Sequence, residues 1–279
     1  MNKKYLTLKN FIGLTLIIAI LGFGLINCNE KNELPLSATA SKTDPSCQTC
    51  NDGSIDLTIV GGTAPYSIVW STNAVTEDIE SLTIGTYSYT ITDANLDELK
   101  GTVELTYFHE LVKIETDFGD ILIWLYDQTP LHKANFLKLS KDGFYDGLIF
   151  HRVIDEFMIQ GGDPLGTGMG GPGYDITAEI LPTIKHELGS LGAARNNNPE
   201  KKSNGSQFYI VENKNGTPHL DNLYTVFGIV VNGINAVHSI ADVATGVSDR
   251  PVNDVVMKEV TVVSYTASEL ETQFSFIIP

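Results

Sequence analysis

One arginine stands in an otherwise apolar run, Phe150-His151-Arg152-Val153-Ile154. Taken alone, an arginine in an apolar strand reads as a structural ion pair. Its company changes that reading. Phe157-Met158-Ile159-Gln160-Gly161-Gly162-Asp163 follows closely, and Asn204-Gly205-Ser206-Gln207-Phe208-Tyr209-Ile210, His219-Leu220-Asp221 and Thr225-Val226-Phe227-Gly228 come later. Side chains alternate along a strand, so Met158 shares a face with Gln160, and Gln207 with Tyr209, while His151 faces away from Arg152. Arginine carries a permanent charge and a rigid fork of donors. Its chemistry is charge-assisted hydrogen bonding, here beside amides and apolar side chains.

Other motifs carry less. Gly166-Thr167-Gly168-Met169-Gly170-Gly171 satisfies G-x-G-x-x-G, but Pro172-Gly173 stands where a dinucleotide site needs a helix to begin. Asp117-Phe118-Gly119 has no other kinase element beside it. Cys47-Gln48-Thr49-Cys50 lacks the following helix that would lower a thiol pKa and supplies half of a zinc site. A local disulfide or two plain thiols remain open. Asp52, Asp56 and Asp93 are oxygen donors that could hold calcium, though solvated loop aspartates are the simpler reading.

The elements that must position these residues are mostly strands. Val112 and Ile114, then Ile121, Ile123 and Leu125, flank the turn Asp117–Asp120 and predict a hairpin. Thr129-Pro130 offers an N-cap and a proline at the first helical position, and Gly143 a stop. Strand-like runs follow at 148–153, 157–160, 207–211 and 224–230. Ile234, Val237 and Ala241 predict a helix over 234–241, and a strand near 260–263 closes the set. Many strands with two well-separated helices predict a barrel with capped ends. Residues 266–279 form a tail with little signal.

In this order the runs resemble the cyclophilins, and the resemblance extends over 111–265. It implies an eight-stranded antiparallel barrel capped by two helices, and peptidyl-prolyl cis–trans isomerase activity without a cofactor or metal. By that resemblance Arg152 is the catalytic arginine. Gln160 and Gln207 hold Arg152 and the substrate backbone. Phe157, Met158, Tyr209 and Leu220 form the proline pocket, and Ala194 contacts the peptide main chain. Arg195 and Asn196 occupy the next, variable positions. Three residues depart from frequent family choices. Tyr209 replaces phenylalanine and adds a hydroxyl at the pocket rim. His219 stands for tryptophan, which should weaken cyclosporin binding, and Tyr224 for histidine. The alternative is a non-catalytic proline-peptide-binding chaperone or surface interaction module.

Before this domain, period-two runs over 46–108 predict a small β-sandwich: Ile55, Leu57, Ile59; Tyr87, Tyr89, Ile91; Val103, Leu105, Tyr107. Asn51–Asp56, Gly61–Tyr66 and Gly85–Ala94 resemble a SprB-type repeat. This immunoglobulin-like module implies a surface protein partner. Residues 28–45 are polar and read as a flexible tether. Lys3, Lys4 and Lys9, then an uncharged apolar stretch over 11–26, fit a secretory signal over 1–27. The ending Leu25-Ile26-Asn27-Cys28 resembles a bacterial lipoprotein signal, which implies lipidation of Cys28 and a membrane-anchored place in the cell envelope. The 279 residues carry 34 acidic against 18 basic side chains, a net charge of −16. That balance argues against nucleic-acid partners. Proline-containing polypeptides are the implied clients.

Overall fold

The computed structural model describes residues 34–279, so the expected signal segment and Cys28 lie outside the described residues. The chain divides into two compact units at Tyr107/Phe108.

The first unit is a sandwich of two three-stranded antiparallel sheets. One has the order β1 (Ser37–Thr43), β2 (Gly53–Val60), β4 (Ile79–Leu82). The other has the order β3 (Ser67–Trp70), β5 (Gly85–Thr92), β6 (Glu98–Leu105). The alternating residues meet inside. Ile55 and Leu57 from one sheet bury against Trp70, Tyr89, Ile91 and Leu105 from the other. Strand β1 corrects the expected tether. Ala38 and Ala40 alternate inward beneath polar neighbours and pair with β2, a pattern too weakly apolar to stand out in the sequence. Cys47 and Cys50 form a disulfide across a turn closed by the Cys50 amide on the Cys47 carbonyl. The three aspartates do not form a cluster that could hold a metal ion. Asp93 accepts the amides of Thr63, Asn95 and Asp97, Asp52 accepts that of Ser46, and Asp56 points outward from β2.

The second unit opens with the expected hairpin. Strands β7 (His109–Thr116) and β8 (Gly119–Leu125) join through the two-residue loop Asp117-Phe118. Helix α1 (Pro130–Lys141) follows, then β9 (Arg152–Ile154), β10 (Met158–Gly161), β11 (Asp175–Ile176), β12 (Ser190–Ala193), β13 (Ser203–Asn204), β14 (Phe208–Val211) and β15 (Val226–Asn232). Helix α2 (Ile234–Ala241), β16 (Glu259–Tyr265) and α3 (Ala267–Phe274) complete it. Eight strands form one antiparallel sheet in the order β16-β7-β8-β15-β12-β14-β10-β9, and β11 pairs separately with β13. The outermost strands are joined through irregular chain. Phe150 donates to the Val255 carbonyl and Met257 to the Leu148 carbonyl, around an Ile149–Val256 bridge. The run 148–153 is therefore ladder only from Arg152 onward.

Both expected helices are present. Thr129 is the N-cap of α1, but its hydroxyl donates to the Tyr126 carbonyl. The exposed amides of the first turn are instead met by the carboxylate of Glu179, at 3.0 Å from both Leu131 N and His132 N. A carboxylate at this end also complements the helix dipole. Gly143 takes the left-handed conformation just past the helix, as a stop requires. Phe136 of α1 is buried edge-on against Phe208 and Phe227. Helix α3 was not expected. It begins with a reciprocal capping box between Thr266 and Glu269. Its Leu270 is fully buried with Leu111, Leu122 and Trp124 on the outer face of the hairpin.

Candidate active site

Arg152 of β9 and Gln160 of β10 are direct cross-strand partners, so their side chains leave the sheet on the same face. They line one side of a cavity of about 170 Å³, together with Phe157, Met158, Ala194, Arg195, Tyr209, Leu220 and Tyr224. Register explains the grouping. Gln160 pairs with Tyr209 across β10 and β14, and Tyr209 with Gly192 across β14 and β12. A Cβ at Gly192 would run into the Tyr209 ring, so that glycine makes the space in which the ring lies flat. Leu220 arrives on a short 3₁₀ turn, Pro218–Leu220.

The glutamines bond each other. Gln160 Nε2 donates to Gln207 Oε1 at 3.1 Å, and Gln207 Nε2 donates to the carbonyls of Gly168 (3.1 Å) and Gly170 (2.7 Å). The glycine-rich loop thus serves as an acceptor rim for Gln207. Asp163, itself buried, organises that loop by accepting the amides of Leu165, Thr167 and Gly168. Burial pushes the Asp163 carboxyl up, but these amides outweigh it and hold it below the usual carboxylate range.

Neither glutamine is hydrogen-bonded to Arg152, contrary to expectation. The acceptor is Asp249, whose Oδ2 lies 3.2 Å from Arg152 Nε. Sequence reasoning missed it, because the two residues are 97 positions apart and Asp249 sits in an irregular turn. Arg152 is thus an ion pair and a cavity residue at once.

Tyr209 is also corrected. Its hydroxyl does not reach the rim; it lies 2.9 Å from His186 Nε2. His186 Nδ1 lies 2.9 Å from Asp221 Oδ1, and the same oxygen accepts the His186 amide at 3.0 Å. Burial holds the imidazole below its ordinary value despite the Asp221 charge. A neutral ring donating to Asp221 leaves Nε2 as acceptor for the tyrosine proton. Burial also pushes the Tyr209 phenol well up. The ring alone therefore faces the cavity.

Ala194 lines the cavity, but its amide already donates to the Gln207 carbonyl, and its carbonyl accepts from Asn204. Only that carbonyl's second lone pair remains for a ligand. His219 is exposed and stacks on Phe157 at 5.5 Å outside the cavity lining. Tyr224 meets Tyr209 edge-on, and the Arg195 guanidinium lies over it at 4.6 Å. Arg195, carried over only weakly from the sequence, does line the cavity, while Asn196 does not.

A second constellation has the order of a hydrolytic triad. Ser203 Oγ lies 3.0 Å from His132 Nε2, and His132 Nδ1 lies 2.6 Å from Glu179 Oε2. Ser203 is 1 % exposed and His132 2 %, so no acyl group reaches the hydroxyl. The trio ties the start of α1 to the segment that carries Gln207. Among the described residues no group of histidines, cysteines and carboxylates is arranged to hold a metal ion.

An antiparallel eight-stranded barrel with an arginine and two glutamines beside an apolar slot defines the class. A family model described as cyclophilin type peptidyl-prolyl cis-trans isomerase/CLD matches residues 111–262, more than half of the chain, and the chain belongs to that family. A SprB repeat model matches residues 39–75. The chain is 41 % identical over 155 residues to peptidyl-prolyl cis-trans isomerase CYP18-1 of Arabidopsis thaliana, covering 54 % of this chain and 94 % of that one. It is 40 % identical over 182 residues to a putative bifunctional phosphatase/peptidyl-prolyl cis-trans isomerase of Streptococcus pyogenes, of which it spans only 38 %. The crystal structure of a Cryptosporidium parvum cyclophilin type isomerase aligns with a TM-score of 0.53 at 35 % identity, over 57 % of this chain and 99 % of that one.

Proposed function

We propose that the second unit speeds cis–trans exchange of X–Pro bonds in envelope or secreted polypeptides, with Arg152 donating to the prolyl nitrogen as the amide twists. The observation that carries the mechanism is the placement of Arg152 and Gln160 side by side over an apolar cavity. A planar amide resists rotation by roughly 18–20 kcal/mol. Its nitrogen regains lone-pair density only when conjugation is lost. A donor aimed at that nitrogen therefore binds the twisted amide better than either planar form, which is what acceleration requires. Phe157, Met158, Tyr209 and Leu220 grip the ring, and Gln160, itself held by Gln207, faces the peptide backbone. No bond breaks, so no nucleophile or metal enters the scheme.

The test is isomerisation of a proline peptide followed by protease coupling or NMR exchange. Arg152→Ala should lower kcat/KM by roughly 10²–10³-fold, the usual loss on removing one preorganised transition-state donor. A rate unaffected by that substitution would overturn the mechanism.

The setting belongs to the same proposal. The basic start, apolar stretch and Cys28 support lipid anchoring in the cell envelope, and the SprB-like first unit supports a surface partner. Cys28→Ser should move the protein from the membrane to the soluble fraction. Retention at the membrane would refute the anchor.

A further inference from the structure

We propose that Asp249 is a positioning residue for Arg152, fixing the plane of the guanidinium so that its terminal N–H groups face the cavity. The inference rests on the mechanism given above and adds a residue to it. A guanidinium offers five donors, and which of them reach a ligand depends on the rotation of the group. Among the described residues, Asp249 is the one side chain that hydrogen-bonds Arg152, and it does so through Nε. A bond at Nε leaves both Nη groups unengaged on the far edge of the fork.

Three observations set this pair apart from an ordinary surface contact. First, Ser248 (φ 61°) and Asp249 (φ 59°) are consecutive left-handed residues; aspartate visits that region readily as a single residue, but serine does so rarely and two in a row are uncommon. Such backbone persists where the surroundings over-determine it, and clusters at functional sites. Second, the turn is pinned at its base. Gly246 N donates to the Arg250 carbonyl at 2.7 Å and Val252 N to the Ala244 carbonyl at 2.8 Å, beside a Thr245–Pro251 bridge. Third, the next residue binds the other half of the machinery. Arg250 Nη1 donates to the Gly166 carbonyl at 2.6 Å, at the head of the loop whose Gly168 and Gly170 carbonyls hold Gln207. One dipeptide, Asp249-Arg250, thus holds the donor and the amide network in a common register.

Asp249→Asn is the informative variant. Asparagine tolerates the left-handed backbone and keeps the side-chain shape, but lacks the charge that orients Arg152. In the full chain we expect kcat to fall roughly tenfold while KM changes less than about twofold, the pattern of an interaction lost in the transition state. A structural readout accompanies the kinetics. The Arg152 Nε–Hε resonance, identified by its absence in Arg152→Ala, should shift and exchange faster with water in Asp249→Asn, with the backbone amide spectrum otherwise retained. An unchanged kcat together with an unmoved Nε–Hε resonance would overturn the proposal. Should wild type show no Arg152-dependent rate, the mechanism fails instead, and the resonance still decides whether Asp249 orients the guanidinium.

Discussion

Removing one oxygen separates the two roles that Tyr209 combines. In Tyr209→Phe the ring stays in its slot above Gly192, and the His186 imidazole loses its only partner at Nε2. His186 cannot turn to find another, because Asp221 holds both its amide and Nδ1. It is 2 % exposed, so water does not replace the phenol. A buried acceptor left unsatisfied costs about 1–3 kcal/mol. Taking about 2 kcal/mol, and about 2–4 °C per kcal/mol for a domain of this size, the melting temperature of the second unit should drop by about 4–8 °C. The cavity wall is the ring, so kcat/KM should stay within about twofold of wild type. Differential scanning calorimetry and the proline-peptide assay read the two quantities on the same sample. An unchanged melting temperature, or a tenfold loss of rate in a folded variant, would refute the assignment of the hydroxyl to the scaffold.

Three further outcomes are expected. Gly192→Ala forces a methyl into the Tyr209 ring and should lower kcat/KM more than it lowers stability, whose cost is about 1–3 kcal/mol for an overpacked site; paired melting and rate measurements distinguish the two. Glu179→Ala strips the carboxylate from two helix amides and from His132, and should cost about 2 kcal/mol by denaturant titration. Burial holds His132, His151 and His186 below 6.5 in the folded state. The unfolded chain therefore takes up their protons first as pH drops. Their contribution to stability is complete above about pH 6.5 and is lost as pH falls towards the depressed folded values. A melting temperature that stays flat from pH 7 to about pH 5 would contradict this.

Legibility in the sequence followed the strength of local signals. Helix α1 stood out because Pro130 and Gly143 bracket it, and the 117–120 turn because alternating residues flank it. The strand that carries Arg152 is legible but reads too long, since the run 148–153 lacks the apolar–polar alternation that marks where a ladder begins. Strand β1 was lost because alanines at 38 and 40 give little contrast with their neighbours. The box Thr266-x-x-Glu269 was present and overlooked ahead of α3. At the site, the cavity residues came together because each lies in a distinctive run. Asp249 and His186 were not legible as site residues. Each acts through a single contact to a residue far along the chain, and neither neighbourhood advertises it.

The seam of the barrel runs beside its chemistry. Strand β9 is three residues long, has a ladder partner on one side only, and is joined to the far rim by a handful of bonds from unpaired chain. A cylinder stitched this way is weakest along that margin, and Arg152 stands two residues beyond the Phe150–Val255 bond. Breathing there needs no disturbance of β12 or β14, whose neighbours flank them on both sides. Loss of those few bonds would free one short margin beside Arg152 while β12 and β14, the latter carrying Tyr209 into the apolar cavity, keep a partner on each side.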